Sequence, residues 1–128
     1  MSHYRRSVWN DKITVYHREE VADEYGREKT VYTRSVYDDC FFNRVSAISV
    51  SGQSFVASER YVVRIPAECD AIVSPEDLIV KNEVTDEVAR GVRLSDIKEK
   101  YSGMCFTVDG VTDDTKLTET AHLKVTGI

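Results

Sequence analysis

Helix-building residues are scarce in this 128-residue chain: 4 Leu, 7 Ala and 2 Met stand against 18 Val, 7 Ile and 10 Thr. β-Branched side chains lose rotamer freedom in a helix and pack well on a pleated surface, so a helix bundle is excluded and strands are expected. Cysteine is scarce too. Cys40, Cys69 and Cys105 are an odd number without a C-x-x-C pair, so neither a disulfide framework nor a zinc site is expected, and reduced cytosolic thiols are the simpler reading. No stretch approaches the roughly 18 consecutive apolar residues of a membrane span. The opening Tyr4-Arg5-Arg6-Ser7-Val8-Trp9 has no apolar run behind its arginines, so neither membrane insertion nor signal-peptide export is expected. Glycine-rich phosphate loops, a G-x-S-x-G elbow and internal repeats are also lacking, which leaves nucleotide binding and serine hydrolysis without local support.

An excess of positive charge is missing as well. Lys and Arg total 17 against 22 Asp and Glu, a net charge of −5, so general coating of nucleic-acid backbones is not expected. The imbalance is local: residues 1–66 carry 10 basic and 9 acidic groups, whereas residues 67–128 carry 7 and 13. The second half therefore presents an acidic surface.

What is present reads as a single domain over residues 1–128, large enough for its own core. Ile13, Val15 and His17 alternate with Lys12, Thr14, Tyr16 and Arg18, the period of a half-buried strand. Asp23-Glu24-Tyr25-Gly26 is a turn, and Glu28 to Tyr37 returns as the second strand of a hairpin, with a bulge or two-sided burial expected at Cys40-Phe41-Phe42. Arg60 to Pro66 is a central strand ended by its proline. Ser74-Pro75-Glu76-Asp77 predicts one helical turn before the short strand Leu78-Ile79-Val80. Ser95 to Tyr101 predicts the one short helix, capped by Ser95 and stopped at Gly103. Met104 to Val111 and His122 to Thr126 supply two late strands. The expected fold is mainly β: a small antiparallel β-barrel or sandwich with a long loop excursion and one short helix.

That excursion is the least ordinary feature. Val45 to Ser58 runs for 14 residues without a charge, in a chain that is 30% charged. Small apolar residues alternate with serine on both sides of Ser51-Gly52-Gln53, the pattern of two extended arms and a tip. On a monomer's surface such a segment is an aggregation-prone edge. Either it is an internal hairpin covered by the domain, or neighbouring subunits cover it around a shared channel.

Residues able to carry chemistry lack partners. His3, His17 and His122 form no metal-binding spacing, and His17 reads as a partly buried strand-end histidine. Cys40 and Cys105 adjoin aromatic residues in strands, where a thiol acts as a small apolar group. Asp109, Asp113 and Asp114 read as a solvated turn rather than a calcium loop. No catalytic residue, metal or cofactor is expected.

Asp11-Lys12-Ile13-Thr14-Val15-Tyr16, Asp23-Glu24-Tyr25-Gly26, Arg60 to Pro66, Asp77 to Lys81, Phe106 to Asp113 and His122-Leu123-Lys124-Val125 occur in an order that resembles the head-closure, or stopper, proteins. These are neck proteins of the head-tail connector in long-tailed phages and prophages of Gram-positive bacteria. The similarity spans most of residues 11–126 and departs at Leu123, where an aromatic is expected nearby. The resemblance implies a non-enzymatic virion protein at the head-tail junction, made in the host cytoplasm. It implies a β-barrel forming a homo-oligomeric ring below the adaptor or portal ring and above the tail tube or tail terminator. Packaged DNA would pass through the channel without sequence-specific binding. Residues 44–59 match the family's projecting channel loop, making Val45, Ile48, Val50, Gly52, Gln53, Phe55 and Val56 the candidate channel or interface residues. Residues 1–10 are a candidate flexible arm in which Arg5, Arg6 and Trp9 dock a neighbour. A tail terminator or head-tail adaptor remains the alternative within that class. A small cytosolic β-barrel binding a peptide or small molecule remains the alternative outside it, with an enzyme more distant.

Overall fold

A computed structural model describes residues 9–51, 54–89, 91–114 and 121–128, with the backbone alone for residues 46–51 and 54–59. Six strands form a closed antiparallel barrel: β1 (Asp11–Ala22), β2 (Glu28–Ser51), β3 (Ser54–Pro66), β4 (Leu78–Lys81), β5 (Cys105–Asp114) and β6 (His122–Gly127). Their order around the barrel is β1-β2-β3-β6-β5-β4, and β4 closes it by pairing Ile13–Tyr16 of β1 with Lys81–Leu78. A short 3-10 helix (Ala67–Cys69) follows β3, and the helix α1 (Leu94–Lys100) precedes β5. The expected mainly β barrel with one short helix is what the chain forms. No described helix is long and apolar enough to cross a membrane.

The barrel interior holds Ile13, Val15, Cys40, Tyr61, Val63, Ile65, Ile79, Phe106, Val108 and Val125. Tyr61 stacks on Phe106 with ring centroids 5.2 Å apart, and Phe42 meets both rings at 5.8 Å. Gly127 makes this packing possible. A Cβ there would stand 2.1 Å from the Thr107 carbonyl oxygen and 2.3 Å from the Phe106 ring.

β1 departs from the half-buried strand that its alternation predicts. Thr14 and Tyr16 are as buried as Ile13 and Val15, because Val84, Val88 and α1 lie across the outside of β1, β4 and β5. A second cluster of Tyr16, Leu78, Val80, Val84, Ile97 and Cys105 fills that outer layer. The buried hydroxyls are satisfied from it: Thr14 Oγ1 donates to the Asn82 carbonyl (2.9 Å) and accepts from the Val84 N–H (3.0 Å), while Tyr16 donates to the Asp86 carbonyl (2.5 Å). Leaving such groups unpaired would cost about 1–3 kcal/mol each.

Three local expectations are corrected. Ser74–Asp77 is a β-turn, not a helical turn: the Asp77 N–H donates to the Ser74 carbonyl (3.1 Å) and Glu76 is left-handed, with φ 78°. Pro75 suits the second position of such a turn, so the same residues that start helices also make type II turns. The cap of α1 is Arg93, whose N–H donates to Asp96 Oδ2 (2.9 Å), and Ser95 lies inside the helix. Asp109, Asp113 and Asp114 belong to β5 rather than to a turn. The register of β5 on β6 slips between Val108 and Gly110, and this bulge leaves Asp109 unpaired in the ladder. Its carboxylate accepts from Thr126 Oγ1 (3.0 Å) and from Arg60 (2.9 Å).

Candidate interaction surface: two hairpin arms

β2 has 24 residues, a contour of about 80 Å at roughly 3.3 Å per residue, far longer than β4 with 4. It serves two sheets. Glu28 to Cys40 pair with β1, and Phe41 to Ser51 pair with β3. The switch falls where Asp39 adopts a left-handed conformation (φ 57°), and the Asp11 carboxylate accepts the Phe42 N–H (2.9 Å) where the β1 ladder stops. This resolves the expected irregularity around Cys40-Phe41-Phe42: the strand bends and changes partners. Each end of β2 then outruns the barrel as half of a two-stranded ribbon.

The first arm comprises residues 17–33, beyond the last β1–β4 pair at Tyr16 and Leu78. Its turn is as expected: Asp23 Oδ1 accepts from the Tyr25 N–H (2.9 Å) and the Arg27 N–H (2.8 Å), and Gly26 has φ 76°. Arg18, Glu19, Glu20, Asp23, Glu24, Arg27, Glu28 and Lys29 charge this arm, and Arg18 bridges Glu20 and Glu76 at its root. Buried Asp77 anchors the root, accepting from the Arg18 N–H (3.0 Å) and the Ser74 N–H (2.8 Å) and bonding His17 Nδ1 (2.7 Å). His17 Nε2 faces Glu19 at 4.0 Å, so each ring nitrogen has a carboxylate beside it.

The second arm is the uncharged segment. Pairing runs from Val45 opposite Arg60 to Ser51 opposite Ser54, whereas β6 supports β3 only from Tyr61 onward. It is a projecting ribbon with two extended halves, as its alternation suggests. Register assigns its faces. Phe42 and Tyr61 pack inside the barrel, and two-residue steps outward pass Arg44 and Ser46 opposite Glu59 before reaching Ile48 opposite Ala57 and Val50 opposite Phe55. This ribbon face continues the barrel's inner face past its rim. Val45 opposite Arg60 and Val56 opposite Ser49 occupy the other face, and Val45 is exposed. Of the seven candidate residues, Ile48, Val50 and Phe55 thus share a face and Val45 and Val56 do not; Gly52 and Gln53 lie outside the described residues.

Of the N-terminal candidates, Arg5 and Arg6 lie outside the described residues. Trp9 packs on its own barrel, edge-on to His122 at 5.6 Å and tilted to Phe41 at 6.5 Å, with the Arg64 guanidinium 6.0 Å from the Phe41 ring. No sequence signal paired Trp9 with His122, residues 113 apart that meet only through the closure of the barrel.

The outer layer holds a polar cluster that sequence spacing did not reveal. Asp86 accepts from Lys100 Nζ (2.8 Å) and from the Tyr101 hydroxyl (2.5 Å), and these bonds hold its carboxyl below the usual range. Burial, with Asp86 nearby, pushes the Tyr16 hydroxyl up to about 12. At the root of the second arm, a cleft of about 320 Å³ is lined by Arg44, Tyr61, Lys98 and Ser102, with Lys98 Nζ committed to Thr107 Oγ1 (2.6 Å). Among the described residues, no group of three His, Cys, Asp or Glu side chains is placed to hold a metal.

Five acids of the second half lie at separate places: Asp86 and Asp96 in the outer layer, Glu76 at the first arm's root, Asp109 at the second, and Asp77 inside. The two ribbons, by contrast, are each paired along one edge only.

A family model covers almost all of this architecture, from residue 8 to residue 128. The chain belongs to DUF6751, a family of unknown function. Comparison with curated proteins gives no match. The match takes in both arms and all six strands, so the DUF6751 unit is the whole barrel with its ribbons.

Proposed function

We propose that this DUF6751 protein is a structural component of a phage or prophage neck, a head-closure protein that assembles as a ring, closes the DNA-filled head and docks the tail. The observation that carries this reading is the second arm: an uncharged ribbon that leaves a closed barrel without a third strand among the described residues. Its apolar positions Ile48, Val50, Ala57 and Phe55 continue, by register, the barrel's inner face beyond the point where β6 supports β3. A ring gathers several copies of such a ribbon around one axis, which shields the apolar face and the unpaired edges and creates a constriction. Closure of the barrel also supports it, because the strand order returns on itself and the two arms are the longest stretches left as two-stranded ribbons open to strand addition.

The ring's neighbours in this reading are an adaptor or portal ring above and a tail tube or tail terminator below, with packaged DNA in the channel. A tail-terminator or adaptor role uses the same ring and differs in which neighbour it meets. The cleft lined by Arg44, Tyr61 and Lys98 supports a second reading, a small β-barrel that binds a peptide or small molecule.

Replacing residues 45–58 with a short turn separates these readings. The stopper reading expects a folded barrel and heads that lose DNA. Heads that retain DNA but fail to join tails assign an adaptor or docking role, and unaltered particles refute a neck role for the arm.

A further inference from the structure

Two of the three cysteines meet at one backbone oxygen. Cys40 Sγ lies 3.5 Å and Cys69 Sγ 3.7 Å from the Asp38 carbonyl oxygen, although 28 residues separate them in the chain. Cys40 is buried at the end of the β1-paired part of β2, and Cys69 ends the 3-10 helix after β3, partly exposed and packed against the same core cluster. Cys105 belongs to the outer layer, donating to the Lys98 carbonyl (3.3 Å), on the far side of the sheet. The odd cysteine count thus resolves into one adjacent pair and one remote thiol.

We propose that Cys40 and Cys69 are a redox pair that closes to a disulfide when the protein meets an oxidising, low-molecular-weight disulfide. The exposed member reacts first: the Cys69 thiolate attacks one sulfur of the small disulfide, forming a mixed disulfide and expelling one small thiolate. Cys40 then loses its proton to solvent and attacks the Cys69 sulfur, expelling the second small thiolate. Two protein thiols are oxidised by two electrons, and one small disulfide is reduced to two thiols. Burial pushes the Cys40 thiol up, with Cys69 and Asp38 adding to the effect, so the second step is the slow one.

The position gives the bond a consequence. The covalent loop from Cys40 to Cys69 contains all of β3 and the whole second arm, and it clamps the point where β2 changes sheets. Reduced protein made in a cytosol would acquire this clamp on release into an oxidising medium. The inference does not depend on the neck reading, since it rests on the two sulfurs alone.

The test is incubation of the folded full-length chain with oxidised glutathione, followed by thiol titration and non-reducing tryptic mass spectrometry. The expected result is loss of two of three thiols, a linked pair of peptides 35–44 and 65–81, and a higher melting midpoint that dithiothreitol reverses. Cys105→Ser leaves the linkage intact, and Cys69→Ser, at a partly exposed site, abolishes it. A lasting glutathione adduct on Cys69, a linkage to the 101–116 peptide that carries Cys105, or three unreacted thiols overturns the proposal.

Discussion

The two arms of β2 are built alike and dressed differently. Each is a two-stranded ribbon that outruns the barrel, and a lone ribbon has little independent stability in water. The first carries eight charged side chains, an Asp23-based turn and a root tied by Asp77 and Arg18. The second has no charge between Arg44 and Glu59. Charged residues on an exposed edge oppose strand addition by other chains, and their absence permits it. The same topology therefore yields one arm whose charges oppose strand addition and one without charges to oppose it.

If the barrel holds both arms, the largest losses of stability belong to the barrel. Phe106→Ala removes the ring on which Tyr61 and Phe42 pack and should cost about 3–5 kcal/mol in denaturant unfolding. A comparable loss on shortening either arm would break the comparison, because the arms would then be part of the core.

Charging the second arm should make it behave like the first. Val50→Lys places a cation opposite Phe55, and in a ring the copies repel one another as well. We expect ring assembly to weaken at least about tenfold, equivalent to roughly 1.4 kcal/mol, with unchanged barrel stability and higher monomer solubility. Sedimentation of the chain, alone and with candidate adaptor proteins of the proposed neck, reads this out. Equal assembly by the variant would contradict a covered arm.

A smaller effect tests whether the outer layer stands apart from the arms. Asp86 has its carboxyl lowered by Lys100 and Tyr101, so its contribution is present above the carboxylate's ordinary range and is lost as pH falls through the lowered value. Asp86→Asn should flatten the acid side of the stability profile and leave assembly untouched. At the alkaline end, Tyr16 has its hydroxyl raised to about 12, so its contribution is complete below pH ~10 and lost as pH rises through that value. The smallest expected change is Arg18→Ala, which removes exposed ion pairs to Glu20 and Glu76 at the first arm's root. It should cost under about 1 kcal/mol, less in high salt, by thermal unfolding at two salt concentrations.

Both arms were legible in the sequence because their signals are local. Gly26 marks one turn, and alternation between Val45 and Ser58 marks two extended halves. The barrel followed from β-branched composition and strand count. What stayed hidden depends on distant segments. Thr14 and Tyr16 read as the solvent face of β1, and only residues 82–101, some 70 positions away, bury them. Ser74-Pro75-Glu76-Asp77 carries signals common to helix starts and type II turns, and Glu76 settles the choice by adopting a conformation its residue type does not advertise. Cys40 and Cys69 are brought together by β3 returning along β2, which no spacing rule anticipates. At the candidate site, composition exposed the segment, but the division of Ile48, Val50 and Phe55 from Val45 and Val56 needed the register.

The most direct test of the second arm's role is cryo-electron microscopy of intact particles from a host carrying this gene, focused on the head-tail junction. The proposed neck role predicts a ring of this barrel there, with residues 45–58 of each copy directed to the axis and covered by neighbouring copies. Particles lacking the chain, or a ring whose second arms point outward into solvent, would contradict it.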